Sequence, residues 1–328
     1  MGGLIEGAKK KIWSIANEMI SAKPTPELRI ALVGYRDRGD DYVVKTTKLT
    51  DDIDTVYADL MKFEAGGGGD EPESVNEALR TAVRDVAWSD DKDVLKILFL
   101  VGDAPPHMDY DQDTKYPDLC EEAVKKDLII NTVQCGSIAA TTPIWKEIAR
   151  KSEGEFAALE QSGNMATIDT PMDGKLEELN RALGDTMIAY GNDAVRREVA
   201  TKQAAAVAAP AAASAERLKY NIATGKVVQG EGELVDSISA GTTTVSELKK
   251  DELPADLRGL SNEELEAEIK KRSAKRTELQ RQIAEISRER DDYIEKEKRA
   301  SGNRGDSFDD KVAETIRKQA KSKGLNYE

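Results

Sequence analysis

Four consecutive glycines run directly into acids in "AGGGGDEPESVNEAL", residues 65 to 79, and a helical pattern begins straight afterwards. Backbone amides of a glycine loop ahead of a helix attract anions. A phosphate cradle also needs a Lys and Ser/Thr pair after the glycines, and Asp70, Glu71 and Glu73 stand there instead. Hard divalent cations want carboxylate and carbonyl oxygens, and glycines let the backbone turn tightly enough to gather them. A second contributor is "LFLVGDAPPH", where Asp103 directly follows a buried strand pattern. In an open α/β sheet, ligands sit at the carboxyl ends of the strands, so Asp103 and the loop ahead of the Glu73 helix are expected to share one crevice. Taken singly, Glu71 and Glu73 read as partners of a helix dipole, and Asp103 reads as a turn residue before two prolines. Together with the glycines they favour a cation site, with Gly68, Gly69, His107 and Asp109 at its rim.

Other chemistry is less well supplied. His107 is the one histidine, and no strained nucleophile turn accompanies it, so a hydrolase triad is not expected. "DYDQD", 109 to 113, opens like a calcium loop, but Thr114 stands where the sharp turn wants glycine and Cys120 where the bidentate Glu belongs. Cys120 and Cys135 would both lie at the top of the sheet; a disulfide, which would favour an exported protein, and two buried thiols are equally good accounts. A non-enzymatic protein is the expectation.

The elements that must position these residues alternate. Leu4, Ala8, Ile12, Ile15 and Met19 recur at helical spacing up to Pro24. Strands are expected at 27 to 35, 41 to 49, 94 to 103, 128 to 136 and 155 to 159. Helices are expected after Asp51 and Asp52, from about Glu73 to Trp88, near 118 to 126, through Trp145 and Ile148, and from 175 to 191. The fold class is α/β, a doubly wound, mainly parallel sheet, followed by a mostly helical C-terminal region. Residues 1 to 195 form the first unit. Ala-rich residues 196 to 216, broken by Pro210, read as a linker or frayed helix, and 217 to 328 as a small hairpin around Thr224 and Gly225 plus charged helices. Ser261 and Glu264 form a capping box, and Leu260 and Leu265 a hydrophobic staple, for a helix from Asn262 to about Ala300. Its seam, Leu265, Ile269, Leu279, Ile283, Ile286 and Tyr293, is interrupted by Arg272, Arg276 and Arg290, which favours packing on neighbouring elements over a self-sufficient zipper.

The 328 residues are 39% apolar, enough for a sizeable core, and carry a formal charge of −14. That balance disfavours general nucleic-acid binding and favours cations and basic partners. No membrane segment is evident.

Over residues 1 to 191 these motifs resemble the von Willebrand factor type A domain, in its bacterial form. The family has a doubly wound sheet with a metal-ion-dependent adhesion site built from a DxSxS sequence after the first strand, a Thr or Glu from a second loop, and an Asp after the fourth strand. "GGDEPES" is similar to the second loop of integrin β subunits. The resemblance implies Glu73 as the second-loop metal ligand, Asp70 and the Pro72 carbonyl at a neighbouring cation, and Asp103 as the third-loop acid. It implies Mg²⁺, with Ca²⁺ or Mn²⁺ as substitutes, and a protein partner offering an acidic side chain. "MGGLIEGAKKKIW" looks like the continuation of DxSGSM, so the first strand and DxSxS are absent from this sequence. The expectation is a fragment with weak metal affinity, whose natural N-terminus carries the strand and a signal or anchor for export to the cell surface. The reading from another class is an assembly scaffold that self-associates through its C-terminal helix and keeps a vestigial metal site.

Overall fold

The computed structural model describes residues 2–67, 69–163, 167–301 and 307–327. The chain runs α1 (Gly2–Ile20), β1 (Val33–Tyr35), β2 (Val44–Thr46), α2 (Ile53–Leu60), α3 (Val75–Arg80), β3 (Lys96–Gly102), α4 (Tyr116–Lys125) and β4 (Leu128–Cys135). It continues α5 (Thr141–Lys151), β5 (Phe156–Leu159), α6 (Asp173–Gly184), α7 (Asp193–Ala208), α8 (Ala211–Thr224), α9 (Leu234–Ser239), α10 (Asn262–Ser301) and α11 (Phe308–Ala320). The fold is mixed α/β: a small parallel sheet with flanking helices, then a long, mostly helical C-terminal region.

The parallel sheet has the order β3-β4-β5, with Ile97 opposite Ile129 and Thr132 opposite Phe156. Its strands are near-continuous apolar runs because both faces are covered. On one face α3, α4 and α5 bring Val75, Leu79, Leu119, Trp145 and Ile148 onto Leu100 and Ile130. On the other, α1 and α11 bring Leu4, Phe308, Val312 and Ile316 onto Val133, Cys135 and Leu159. This placement separates the two cysteines. Cys120 faces the α5 side, its Sγ 3.7 Å from the Ile148 carbonyl, while Cys135 faces α1 and α11; both are free, so the disulfide is not formed.

β1 and β2 form a separate antiparallel pair, Val33 opposite Thr46. Among the described residues no ladder joins β1 to β3. A side chain spans the interval instead: the Tyr35 hydroxyl donates to the Val101 carbonyl at 3.2 Å. Gly102 makes this possible, since a Cβ there would lie 2.3 Å from that hydroxyl. The strands expected at 27 to 35 and 41 to 49 accordingly shrink to three residues each, preceded by a single bridge from Ile30 to Thr50.

The C-terminal helices pack back on the N-terminal part through buried ion pairs. Asp52 caps α2 and pairs with Lys202 of α7. Arg217 of α8 donates to both oxygens of Asp54 in α2, at 2.6 and 2.9 Å, and the two residues are 1% and 2% exposed. Gln229 N–H donates to the same carboxylate at 2.9 Å. Residues 196 to 216, expected as a linker or frayed helix, are helical on either side of Pro210 and packed through Val199, Lys202, Ala206 and Ala213. The expected hairpin is absent as well, because Thr224 ends α8 and Gly225 caps it at φ +70°.

α10 begins as its capping box requires, Glu264 N–H donating to Ser261 Oγ at 3.2 Å and Ser261 N–H to Glu264 Oε2 at 2.8 Å. Its seam residues are used inside the chain: Leu265 and Ile269 pack with Leu234 and Leu253, and Leu279 and Ile283 with Leu176 and Leu218. The interrupting arginines dock it. Arg276 donates to Glu233 at 3.0 Å and to Asp236 at 2.5 Å, and Arg290 to Asp173 and Glu216, both at 2.9 Å.

Breaking a buried pair from one side strands the other charge. Arg217→Met is expected to lower unfolding free energy by about 3–5 kcal/mol in urea titrations, and Asp54→Leu added to it to restore most of the loss. A single substitution with no effect would remove this pair from the stabilising set.

Candidate metal centre

The loop after β1 carries Asp37 and Asp40, and the glycine loop delivers Asp70 and Glu73 beside them. Gly67 adopts φ +97° and lies so close to the Asp40 carboxylate that a Cβ would meet it at 2.1 Å, which is what the glycines permit here. The loop after β3 completes the site. Glu73 N–H donates to the Pro105 carbonyl at 2.9 Å, and His107 N–H donates to the Glu73 carbonyl at 3.1 Å. These two bonds clamp the glycine loop to the end of β3. The Asn76 side chain, 1% exposed, donates to the His107 carbonyl at 2.6 Å and accepts from Tyr116 N–H at 2.8 Å, tying the clamp to α3 and α4.

The resulting cleft of about 290 Å³ is lined by Asp37, Arg38, Asp40, Gly69, Asp70, Pro72, Glu73 and Tyr110. Asp37 is fixed by the Ser74 hydroxyl at 3.0 Å and by Tyr110, whose hydroxyl donates to Oδ2 at 3.0 Å. The Tyr110 ring stacks on His107, centroids 4.0 Å apart, and the Arg38 guanidinium lies over its other side at 5.2 Å. His107 is 3% exposed. Its Nδ1 lies 2.8 Å from Asp109 Oδ1, while Nε2 has no hydrogen-bond partner and faces Asp37 Oδ2 at 3.4 Å and Asp70 Oδ2 at 3.7 Å. Asp37, Asp70 and His107 form a group that could hold a metal ion, their ligand atoms all within 4.8 Å of one another.

The electrostatics register the crowding. Burial, then the charges of Asp37, Asp40 and Asp103, push the Glu73 carboxyl from its ordinary 4.5 up to about 7, and its buried Oε2 is unpartnered. Burial would lower His107, but the Asp109 hydrogen bond and the charges of Asp37, Asp109 and Asp70 outweigh it and hold the imidazole above its ordinary value. Burial, then Glu73 and Asp103, also raise Tyr35, the residue beneath the site.

Of the residues anticipated from sequence, Asp70, Pro72, Glu73 and Gly69 meet in the cleft, and Gly68 lies outside the described residues. His107, expected at the rim, is buried within the centre, with exposed Asp109 supporting it from outside. Asp103 is close enough to raise Glu73, but its side chain is engaged by Gln161 Nε2 at 2.5 Å and it is not one of the three clustered ligands. The 109 to 113 loop forms no calcium turn, since Asp113 is buried and paired with Arg38. Asp37, Asp40 and Tyr110 were not anticipated; the acidic "YRDRGDDY" at 35 to 42 was the signal for the two aspartates.

Comparison with family models finds no match for this chain, and comparison with curated proteins finds none either.

A carboxyl whose folded pKa stands above its unfolded one takes up a proton on folding, so the contribution of Glu73 to stability is most favourable at low pH and falls as pH rises from about 4.5 through about 7. Thermal unfolding in chelator should show that fall, and Glu73→Gln should reduce it. The part due to Asp236, which burial and then Glu233 raise to about 6, should remain. An unchanged pH slope in the variant would mean that Glu73 is not held in this environment.

Proposed function

We propose that this protein is a non-enzymatic binding module of the von Willebrand type A kind, which holds a divalent cation in the Asp37/Asp70/His107 cleft and offers it to a carboxylate of a protein partner. The observation that carries the reading is the unpartnered His107 Nε2, buried and facing two carboxylates in a cleft that also holds Glu73. A cation would relieve the repulsion that lifts Glu73, and an open coordination position would supply the bond to the partner. The location supports it too, at the carboxyl end of β3, where ligands of open α/β sheets bind. The resemblance implies Mg²⁺ as the ion.

The scaffold reading has less to stand on. The apolar stripe that a C-terminal zipper would need is buried against α6, α8 and α9 and the segments between them.

Saturating divalent cation is expected to raise the melting temperature, by the equivalent of about 2.7 kcal/mol at a hundredfold excess over Kd. Immobilised protein should retain an acidic peptide until EDTA is added, and Asp70→Asn should abolish both effects. Retention indifferent to EDTA would sink the proposal.

A further inference from the structure

We infer that the ion of this site is a four-coordinate, imidazole-binding cation of the Zn²⁺ class, held by Asp37, Asp70 and His107 with one position open to a ligand. This rests on the cation-site reading above and names its ion, in place of the Mg²⁺ that the family resemblance implies.

The first argument is the donor set. Magnesium demands oxygen ligands and keeps several waters, whereas an imidazole nitrogen suits zinc and its transition-metal neighbours. His107 is buried so that only its ring edge can serve. Asp109 accepts from Nδ1 at 2.8 Å, which makes Nδ1 the proton-bearing nitrogen of the neutral ring and leaves the Nε2 lone pair pointing at Asp37 and Asp70. A carboxylate, an imidazole and a vacant nitrogen in that order is the arrangement that orients metal-bound histidines and raises their basicity.

The second argument is spacing. Ligand atoms about 2.0–2.1 Å from a tetrahedral zinc stand about 3.3–3.4 Å apart. Around octahedral magnesium the neighbouring oxygens stand about 2.9 Å apart. Nε2 lies 3.4 Å from Asp37 Oδ2, the tetrahedral spacing, and 3.7 Å from Asp70 Oδ2, with all three ligand atoms within 4.8 Å of one another, so the group is more open than a magnesium polyhedron and Asp70 has a short way to close. Neither carboxylate forms a hydrogen bond with Nε2, which is left without a partner.

The third is rigidity that differs among the ligands. Asp37 is held by Ser74 and Tyr110, and the His107 ring by Tyr110 and Asp109. Asp70, exposed on the glycine loop, is the one ligand free to swing in, so two ligands are preorganised and the third closes on the ion. Three protein ligands and one open position is how zinc is held where it must also bind something else.

The test uses Co²⁺ as a spectroscopic probe for the Zn²⁺ position. The full chain titrated with Co²⁺ should develop the intense visible bands of four-coordinate cobalt at one equivalent. Zn²⁺ should erase them stoichiometrically and excess Mg²⁺ should not. His107→Gln should weaken Co²⁺ binding by tenfold or more, and Asp109→Asn by about tenfold through the lost support of Nδ1. Should His107→Gln fail to fold, Asp70→Asn, a change at an exposed loop position, must still lose the bands. Weak six-coordinate spectra, displacement by Mg²⁺, or full-strength binding in His107→Gln would overturn the Zn²⁺ assignment while leaving a cation site standing. If neither Co²⁺, Zn²⁺, Mn²⁺ nor Mg²⁺ binds, His107 is only a counter-charge to the acids, and both this inference and the cation-site reading fall.

Discussion

Asp37, Asp40, Asp70 and Glu73 line one small cleft, and the repulsion among their charges is the constraint around which this end of the molecule is built. Left to themselves, exposed acidic loops would separate in water. They stay together because the glycine loop is bonded by its backbone to the segment after β3, through Glu73, Pro105 and His107. Backbone bonds are indifferent to protonation, so the clamp holds whichever state the carboxylates adopt. The relief comes from two sources. Glu73 retains its proton up to about pH 7, and His107 is held above its ordinary pKa against the desolvation that would lower it.

The same clamp compensates for the broken sheet. With no ladder from β1 to β3 among the described residues, the position of Asp37 relative to His107 rests on Tyr35, on the Ser74 and Tyr110 hydroxyls, and on packing beneath the loops. Those are side-chain contacts, each weaker and more adjustable than a run of strand pairing. The distant anchor is more robust. α2, which follows the β1–β2 pair, is tied through Asp54 to Arg217, and its cap Asp52 to Lys202, so the C-terminal helices hold the N-terminal half from behind.

Local features of this architecture were legible in the sequence. Apolar runs marked β3, β4 and β5 nearly to the residue, and the capping box placed the start of α10 correctly, because both signals arise within a few neighbouring residues. The clustering of acids at the glycine loop was legible for the same reason: its acids and glycines are adjacent. What escaped was whatever depended on pairing across the chain. Arg276 and Arg290 read as interruptions of a seam, yet their partners lie 43, 40, 117 and 74 positions away, and proximity in space has no local signature. The Ala-rich stretch read as a linker or frayed helix because alanine carries no strong pattern, and the burial of Lys202 against Asp52 shows how it is held. His107 was legible as present but not as central. Its burial follows from Asn76 gripping its carbonyl and from Tyr110 covering its ring, neither of which its immediate neighbours announce.

A cation in this cleft would compete with the Glu73 proton to neutralise the same cluster of negative charge. Near neutrality the Glu73 proton and any charge on His107 do part of the work a metal would do, so loading the site releases protons and its affinity rises with pH until they are gone. On the proposed reading the cluster would have two ways to be neutralised. Protonation would leave the cleft closed to an acidic partner, because it supplies no coordination position. A bound metal would neutralise the cluster and create the position that a partner carboxylate could fill. The swing between these states falls in the range where Glu73 titrates, and it needs no movement larger than that of the exposed Asp70 side chain. The preorganised pair of Asp37 and His107 would then set which ion enters, and the glycine loop would set how readily it closes.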